Sequence, residues 1–257
     1  MATFLFDKII FGPVKSRRLG VSLGINLLPT NKKICSFDCI YCECGWTDSM
    51  DTDQYPSFEL FSSKLEEKLR EMRAIGELPD VITFAGNGEP TLHPNFPEIV
   101  DKTIELRNTY CPEAKIAVLS NSSLIHRREI FESLLKVDQN ILKLDSAIES
   151  TIEVLNQPLY RFNLQELISN LKRFRGNLIL QTLFIKGKYK GQEIDNTTDT
   201  EIKAWLEVVK QINPKEVMVY TIARDTPLTG LQKVSKPRLD EIANLVKSLG
   251  IPVQVSY

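Results

Sequence analysis

The chain has 257 residues, 42% of them hydrophobic and 25% charged, with a formal net charge of −1. A chain of this length buries about three-quarters of the surface its unfolded form exposes, so it needs no disulfide staples, and it suits one large α/β domain or two small ones. The near-balanced charge excludes a general electrostatic pull toward DNA, RNA or an anionic membrane.

The opening segment "MATFLFDKIIFGPV" is apolar in flavour but carries Asp7 and Lys8 at its middle. It lacks the uninterrupted apolar stretch of a signal peptide, and no run reaches the length of a membrane span. A cytoplasmic location is expected, where thiols stay reduced and clustered cysteines bind metal more often than they pair.

In chain order, apolar or β-branched runs predict strands over 18–28, 80–86, 115–121, 140–146, 177–187 and 216–224, each closed by Gly, Asn, Asp, Pro or Arg. Between them, apolar residues at helical spacing predict helices over 58–75, 127–136, 164–174, 200–212 and 237–249. "IPVQVSY" closes the chain as a short strand. Alternating strands and helices imply a parallel sheet covered by helices, because parallel strands need crossover connections. No linker rich in Gly or Ser divides the alternation. The expectation is an α/β fold, a partial (βα)6 TIM-like barrel. It forms one domain over 1–257, with a short N-terminal strand extension and a C-terminal helix and strand.

Four of the five cysteines crowd into "KKICSFDCIYCECGW", as Cys35, Cys39, Cys42 and Cys44. Structural zinc uses four ligands, commonly two separated pairs, and no second pair follows. A fully protein-ligated [4Fe–4S] cluster also takes four cysteines. Cys44 could complete such a set, although it sits only two positions beyond Cys42. Three thiolates would leave one iron open for a cofactor or substrate. The three-cysteine cluster on Cys35, Cys39 and Cys42 is favoured over zinc, with a four-cysteine iron–sulfur or zinc module as the alternative. Cys111, far away in sequence, reads as a small buried hydrophobe.

At these residues a resemblance becomes plain. "CSFDCIYC" resembles the CxxxCxΦC signature of the radical S-adenosylmethionine (SAM) superfamily. The surrounding "FGPVKSRRLGVSLGINLLP", "GNGEPTLHP", "LSNSSL", "LKLDS" and "LNQP" resemble the branch that holds the wyosine-type tRNA synthases and single-domain bacterial relatives. The resemblance covers the chain from about residue 11 to its last helix.

It implies a [4Fe–4S] cluster on Cys35, Cys39 and Cys42, with SAM chelating the open iron, and reductive cleavage to a 5′-deoxyadenosyl radical that abstracts hydrogen. Gly86, Asn87, Gly88 and Glu89 stand where the family binds the SAM methionine amine, with Asn87 in place of a glycine. Ser120, Asn121 and Asp145, at strand ends, are expected at the ribose or carboxylate. Tyr41 would offer backbone groups to the adenine and Ile222 would pack on it, while Gln181 interrupts an apolar strand and points into the barrel. Lys143, in "ILKLD", could serve as a Schiff-base amine but reads more readily as a snorkelling side chain. His93 and His126 read as structural or solvated.

The wyosine-type synthases commonly carry extra cysteines ahead of the motif, whereas this chain has none before Cys35. Glu43, Asp48, Asp51 and Asp53 follow the cysteines, against the basic "VKSRR" at 14–18. An RNA-binding face should be a basic stripe, so a small molecule or peptide substrate stands beside the tRNA reading. A flavodoxin- or ferredoxin-type electron donor is the expected partner.

Overall fold

The computed structural model describes residues 4–16, 19–47, 50, 55–224 and 226–257. Arg17, Arg18, Asp48, Asp51 and Asp53, read above for charge, lie outside them.

The N-terminal strand β1 (Ile10–Ser16) pairs antiparallel with β2 (Gly20–Ile25). The cysteine loop follows β2 and leads to α1 (Phe58–Ile75). Ser57 caps α1 by accepting from Leu60 N–H, and Gly76 ends it in the left-handed conformation, so both termini fall where the spacing predicts. Phe61, Leu65, Leu69 and Met72 are its buried stripe.

Strand β3 (Val81–Phe84) leads through a turn of 3-10 helix at Pro90–Leu92 into α2 (Phe96–Tyr110), then β4 (Lys115–Ser120), α3 (Arg128–Lys136) and β5 (Gln139–Lys143). Next come α4 (Glu149–Asn156), α5 (Leu164–Lys172), β6 (Ile179–Leu183), β7 (Ile185–Tyr189), β8 (Gln192–Asp195), α6 (Asp199–Ile212) and β9 (Glu216–Tyr220). β10 (Gln232–Lys233), α7 (Lys236–Lys247) and β11 (Val253–Ser256) close the chain.

The main sheet runs β1-β2-β3-β4-β5-β6-β9-β11, and all but β1 are parallel. One buried residue from each of β3, β4, β5, β6 and β9 (Val81, Ala117, Ile141, Ile179 and Met218) meets the others in a single cluster. Successive strands touch one interior in this way only when the sheet curls. The fold is the expected α/β half-barrel, with β11 added to the β9 edge. A larger core lies between the sheet's outer face and the helices, where Phe84 packs against Phe96 and Phe184 against Trp205.

Three expectations change. The run 177–187 is not one strand. Phe184 N–H still donates to Tyr220 O at 2.8 Å, but the Asn196 side chain then takes Leu183 O and Ile185 N–H, so the chain leaves the barrel. β7 instead joins β8 and β10 in a small antiparallel sheet. The other two changes are additions, α2 and α4. The α2 pattern of Phe96, Ile99, Val100, Thr103 and Leu106 is helical, and Pro97 falls in its first turn, where no donor is lost.

Candidate active site

Parallel register brings the C-terminal ends of β3, β4, β5, β6 and β9 to one side of the barrel. Lys143 stands beside Gln181, and Leu183 beside Tyr220. A cleft of about 280 Å³ opens there. Cys35, Cys39 and Cys42 line one end of it; Gly86, Gly88 and Glu89 one flank; and Gln181, Tyr220, Ile222 and Arg224 the other.

The cysteine loop is pinned at several points. Ile34 N–H donates to Asn87 O, and Glu89 N–H returns a bond to Ile34 O. Gly88 makes this approach possible: its φ is +133°, and a Cβ there would stand 1.8 Å from Ile34 O. On the other side, Asp38 N–H donates to Asn156 O and Ile40 N–H to Leu155 O. Lys33, with its side chain only 1% exposed, ties the loop from within. Its ammonium donates to Asp38 Oδ1 at 3.0 Å and Gly45 O at 2.9 Å. Burial alone would push the Lys33 ammonium down, but Cys42, Cys35, Cys39 and Asp38 outweigh it and hold the group above the ordinary lysine range.

The thiols have their own donors. Asn121 Nδ2 and Phe37 N–H each point at Cys35 Sγ from 3.5 Å, and Asn156 Nδ2 at Cys39 Sγ from 3.4 Å. The Cys44 thiol bonds Gly86 O at 3.4 Å and also Cys42. That bond to Cys42, with Lys33 nearby, pulls the Cys42 thiol below its ordinary value, while the same bond and burial push Cys44 up. Burial raises Cys35 and Cys39.

Among the described residues, no three His, Cys, Asp or Glu side chains converge as donors around a single ion. A single zinc needs all its thiolates within about 2.3 Å of one centre, whereas an iron–sulfur cluster takes each thiolate on a different iron. Three thiols at one end of the cleft, two of them with N–H groups aimed at their sulfurs, suit a cluster that takes each on its own iron.

The residues expected at SAM divide into two groups. Tyr41, Gly86, Gly88, Glu89, Ser120, Asn121, Gln181 and Ile222 all line the cleft. The Glu89 carboxylate accepts from Thr91 N–H and Oγ1, from Ser120 Oγ at 2.9 Å and from Asn121 N–H at 2.6 Å. It therefore locks the ends of β3 and β4 together, and burial outweighs these donors to raise its pKa.

Asn87 and Asp145 do not line the cleft. Asn87 is fully buried and faces the N-terminal segment: its Nδ2 donates to Phe6 O and Pro29 O, and its Oδ1 accepts from Phe6 N–H. Its backbone groups are also taken, by Asn26 Oδ1 and Ile34 N–H. Asp145 lies beneath the floor, where it accepts from Tyr41 Oη, Asn156 Nδ2 and Leu183 N–H. The expected SAM contacts of these two residues thus fall on groups that the protein itself engages. Each side chain was claimed by buried backbone or side-chain donors that no local pattern reveals. Burial, and then the Asp145 carboxylate, lift the Tyr41 phenol well above its usual range.

Lys143 does not snorkel. Its ammonium lines the cleft, 3.1 Å from Tyr220 Oη and 3.5 Å from Asp145 Oδ2, and lies over the rings of Tyr41 and Tyr220. Burial opposes its charge, yet Asp145, Tyr220 and Cys39 hold its pKa above the lysine norm. Such an amine is protonated and not poised as a nucleophile. His93 is buried and structural, with Nε2 on Pro56 O and Nδ1 accepting from Asn95 N–H, and His126 is exposed. Cys111 is part of the core. Sequence reasoning passed over Lys33, Asn156, Tyr220 and Arg224. Only the proximity of Lys33 to Cys35 could have flagged one of them.

Residues 32–179 match the model of the radical SAM superfamily. This is more than half of the chain, and the chain belongs to that superfamily, which implies SAM and an iron–sulfur cluster. More particularly, it is 34% identical over 224 residues to a UPF0026 protein of Methanocaldococcus jannaschii, covering 84% of this chain and 64% of that one. It is 30% identical to a UPF0026 protein of Synechocystis, covering 85% and 77% respectively. The chain thus spans less than two-thirds of the first of these. The fold is similar to that of a radical SAM methyltransferase from Sphaerobacter thermophilus, with a TM-score of 0.69 at 16% identity, over 92% of this chain and 66% of the other. No helix among the described residues is long and apolar enough to cross a membrane.

Proposed function

We propose that the chain is a radical SAM enzyme that carries a [4Fe–4S] cluster on Cys35, Cys39 and Cys42 and cleaves SAM reductively. When bound, these cofactors supply an electron and a 5′-deoxyadenosyl radical for hydrogen abstraction from a substrate. The observation that carries the reading is three thiols, Cys35, Cys39 and Cys42, lining one end of the cleft within the segment that matches the radical SAM superfamily.

The chain's own groups have definable tasks. Asn121 and Asn156 donate to Cys35 and Cys39 and fix the directions of their sulfurs. The buried Lys33 ammonium offsets the thiolates' charge. Glu89, locked by its donors, holds Gly86 and Gly88 beside the cleft with a spare carboxylate lone pair on its Asn121-bonded oxygen. Leu119, Leu183 and Ile222 give the cleft apolar walls that limit water near a reactive carbon. The Gln181 amide is buried, and its Nε2 has no hydrogen-bond partner among the described residues. A donor left in that state suits an acceptor on a bound molecule. A flavodoxin- or ferredoxin-type protein as electron donor belongs to the same proposal.

The test is anaerobic reconstitution with iron and sulfide, followed by SAM and dithionite. Release of 5′-deoxyadenosine and methionine is expected, retained in Cys44→Ala and lost in Cys39→Ala. Protein that takes up zinc alone, or a cluster that loses iron in Cys44→Ala as completely as in Cys39→Ala, would overturn the reading in favour of a four-cysteine module.

A further inference from the structure

The charged groups lining the cleft differ in how far the protein has already committed them. Glu89 is occupied by Thr91, Ser120 and Asn121, and Lys143 lies between Asp145 and Tyr220. Arg224 differs. It follows β9, its side chain is 67% exposed, and among the described residues its ion-pair partner is Glu43, with Nη1 to Oε2 at 2.7 Å. Glu43 belongs to the cysteine loop and is itself 37% exposed. Both residues line the cleft, so the pair bridges its rim from the cluster side to the β9 side.

An exposed pair of this kind holds weakly, because water screens both charges and two long side chains must be ordered. A guanidinium has five N–H donors in a planar fork, which matches two oxygens of a carboxylate or phosphate better than one carboxylate oxygen of Glu43 does. Deeper in the cleft, the buried Gln181 Nε2 is a donor without a partner among the described residues. The walls between are apolar. An oxyanion at the rim could therefore take Arg224 from Glu43 while the rest of the molecule fills the cleft.

We propose that the substrate is a small molecule bearing a carboxylate or phosphate group, which displaces Glu43 from Arg224 as it enters. This rests on the radical SAM reading for its placement, but it concerns recognition and needs no turnover to be tested.

Anaerobic holoprotein is titrated calorimetrically with SAM, and the SAM-loaded protein then with succinate and, separately, inorganic phosphate. The wild type should bind one or both anions weakly, at millimolar concentrations. Which anion binds identifies the carboxylate or the phosphate source. Glu43→Gln should tighten that binding about threefold by freeing the guanidinium, and Arg224→Gln should weaken it about tenfold or more. The opposite signs are diagnostic, since a pair that only braces the rim would respond alike to loss of either partner. SAM affinity should stay within about twofold in both variants. Absence of anion binding to wild type, or equal responses of the two variants, would overturn the proposal. So would a tenfold loss of SAM affinity in Arg224→Gln, which would assign the guanidinium to SAM. Failure of SAM to bind the wild type would instead defeat the radical SAM reading, with the anion titrations still read on the unloaded protein.

Discussion

The two flanks of the cleft are built to different standards of completion. On the β3–β4 flank, the cysteine loop, the Gly86–Glu89 turn and Asn121 satisfy one another: Ile34 N–H donates to Asn87 O and Ile34 O accepts from Glu89 N–H, Glu89 gathers donors from β4, and Lys33 is fastened inside the loop. On the β5–β6–β9 flank, among the described residues, Gln181 carries a buried donor without a partner and Arg224 has a rim residue, Glu43, as its ion-pair partner. A flank whose polar groups are all paired is preorganised, so it can present three sulfurs at fixed positions before anything binds. A flank with unpaired donors has traded some stability for recognition. The first suits a cofactor common to a superfamily and the second a substrate particular to one member.

Substitutions can break or sharpen this contrast. The largest effect is expected on the finished flank. Gly88→Ala would drive a methyl to 1.8 Å from Ile34 O at a φ of +133°, and it should cost about 3 kcal/mol or more. The melting temperature should fall together with the iron retained after reconstitution. If both are unchanged, the loop is not anchored through that approach. Lys33→Met leaves Asp38 without its buried ammonium and should cost about 3 kcal/mol in denaturant unfolding. Restoration by Lys33→Arg would indicate that charge alone suffices, whereas continued loss would point to the geometry of the Gly45 bond.

The unfinished flank predicts the reverse sign. Gln181→Leu removes a buried amide nitrogen without a partner among the described residues, so stability should hold or rise by about 1 kcal/mol, while the SAM-loaded protein's affinity for succinate or phosphate drops several-fold. A clear loss of stability would mean that the amide is already partnered, and the contrast would fail. The smallest effect belongs to His93, whose pKa burial depresses. The unfolded chain then binds more protons than the native one as pH falls past about 6.5. Stability should be fully present above that value and decline below it, by no more than about 1.4 kcal/mol per pH unit for one proton. Urea midpoints at pH 7.5 and 5.5 should separate more in wild type than in His93→Gln.

The contrast also follows how legible each flank was. The cysteine spacing and the Gly86–Glu89 turn are contiguous patterns, and Cys35, Cys39, Cys42, Gly86, Gly88 and Glu89 all line one cleft. Asn87 and Asp145 are both polar residues at strand ends, and nothing local distinguishes a ligand contact from the bonds they make to Phe6 and Tyr41. Lys143 was misread for a related reason: its charge is sustained by Asp145 and Tyr220, the latter 77 residues away.

The sequence by itself determined the parallel α/β alternation, the helix ends at Ser57 and Gly76, and the group of thiols after the first barrel strand. Periodicity, capping and cysteine spacing are short-range properties, decided within a few residues. Tertiary structure alone decided where the 177–187 run leaves the barrel, which carboxylates and amides are consumed inside the protein, and that Glu43 meets Arg224 across 181 residues. Those outcomes depend on competition among distant donors and acceptors for the same buried atoms, and only the curled sheet brings the competitors together.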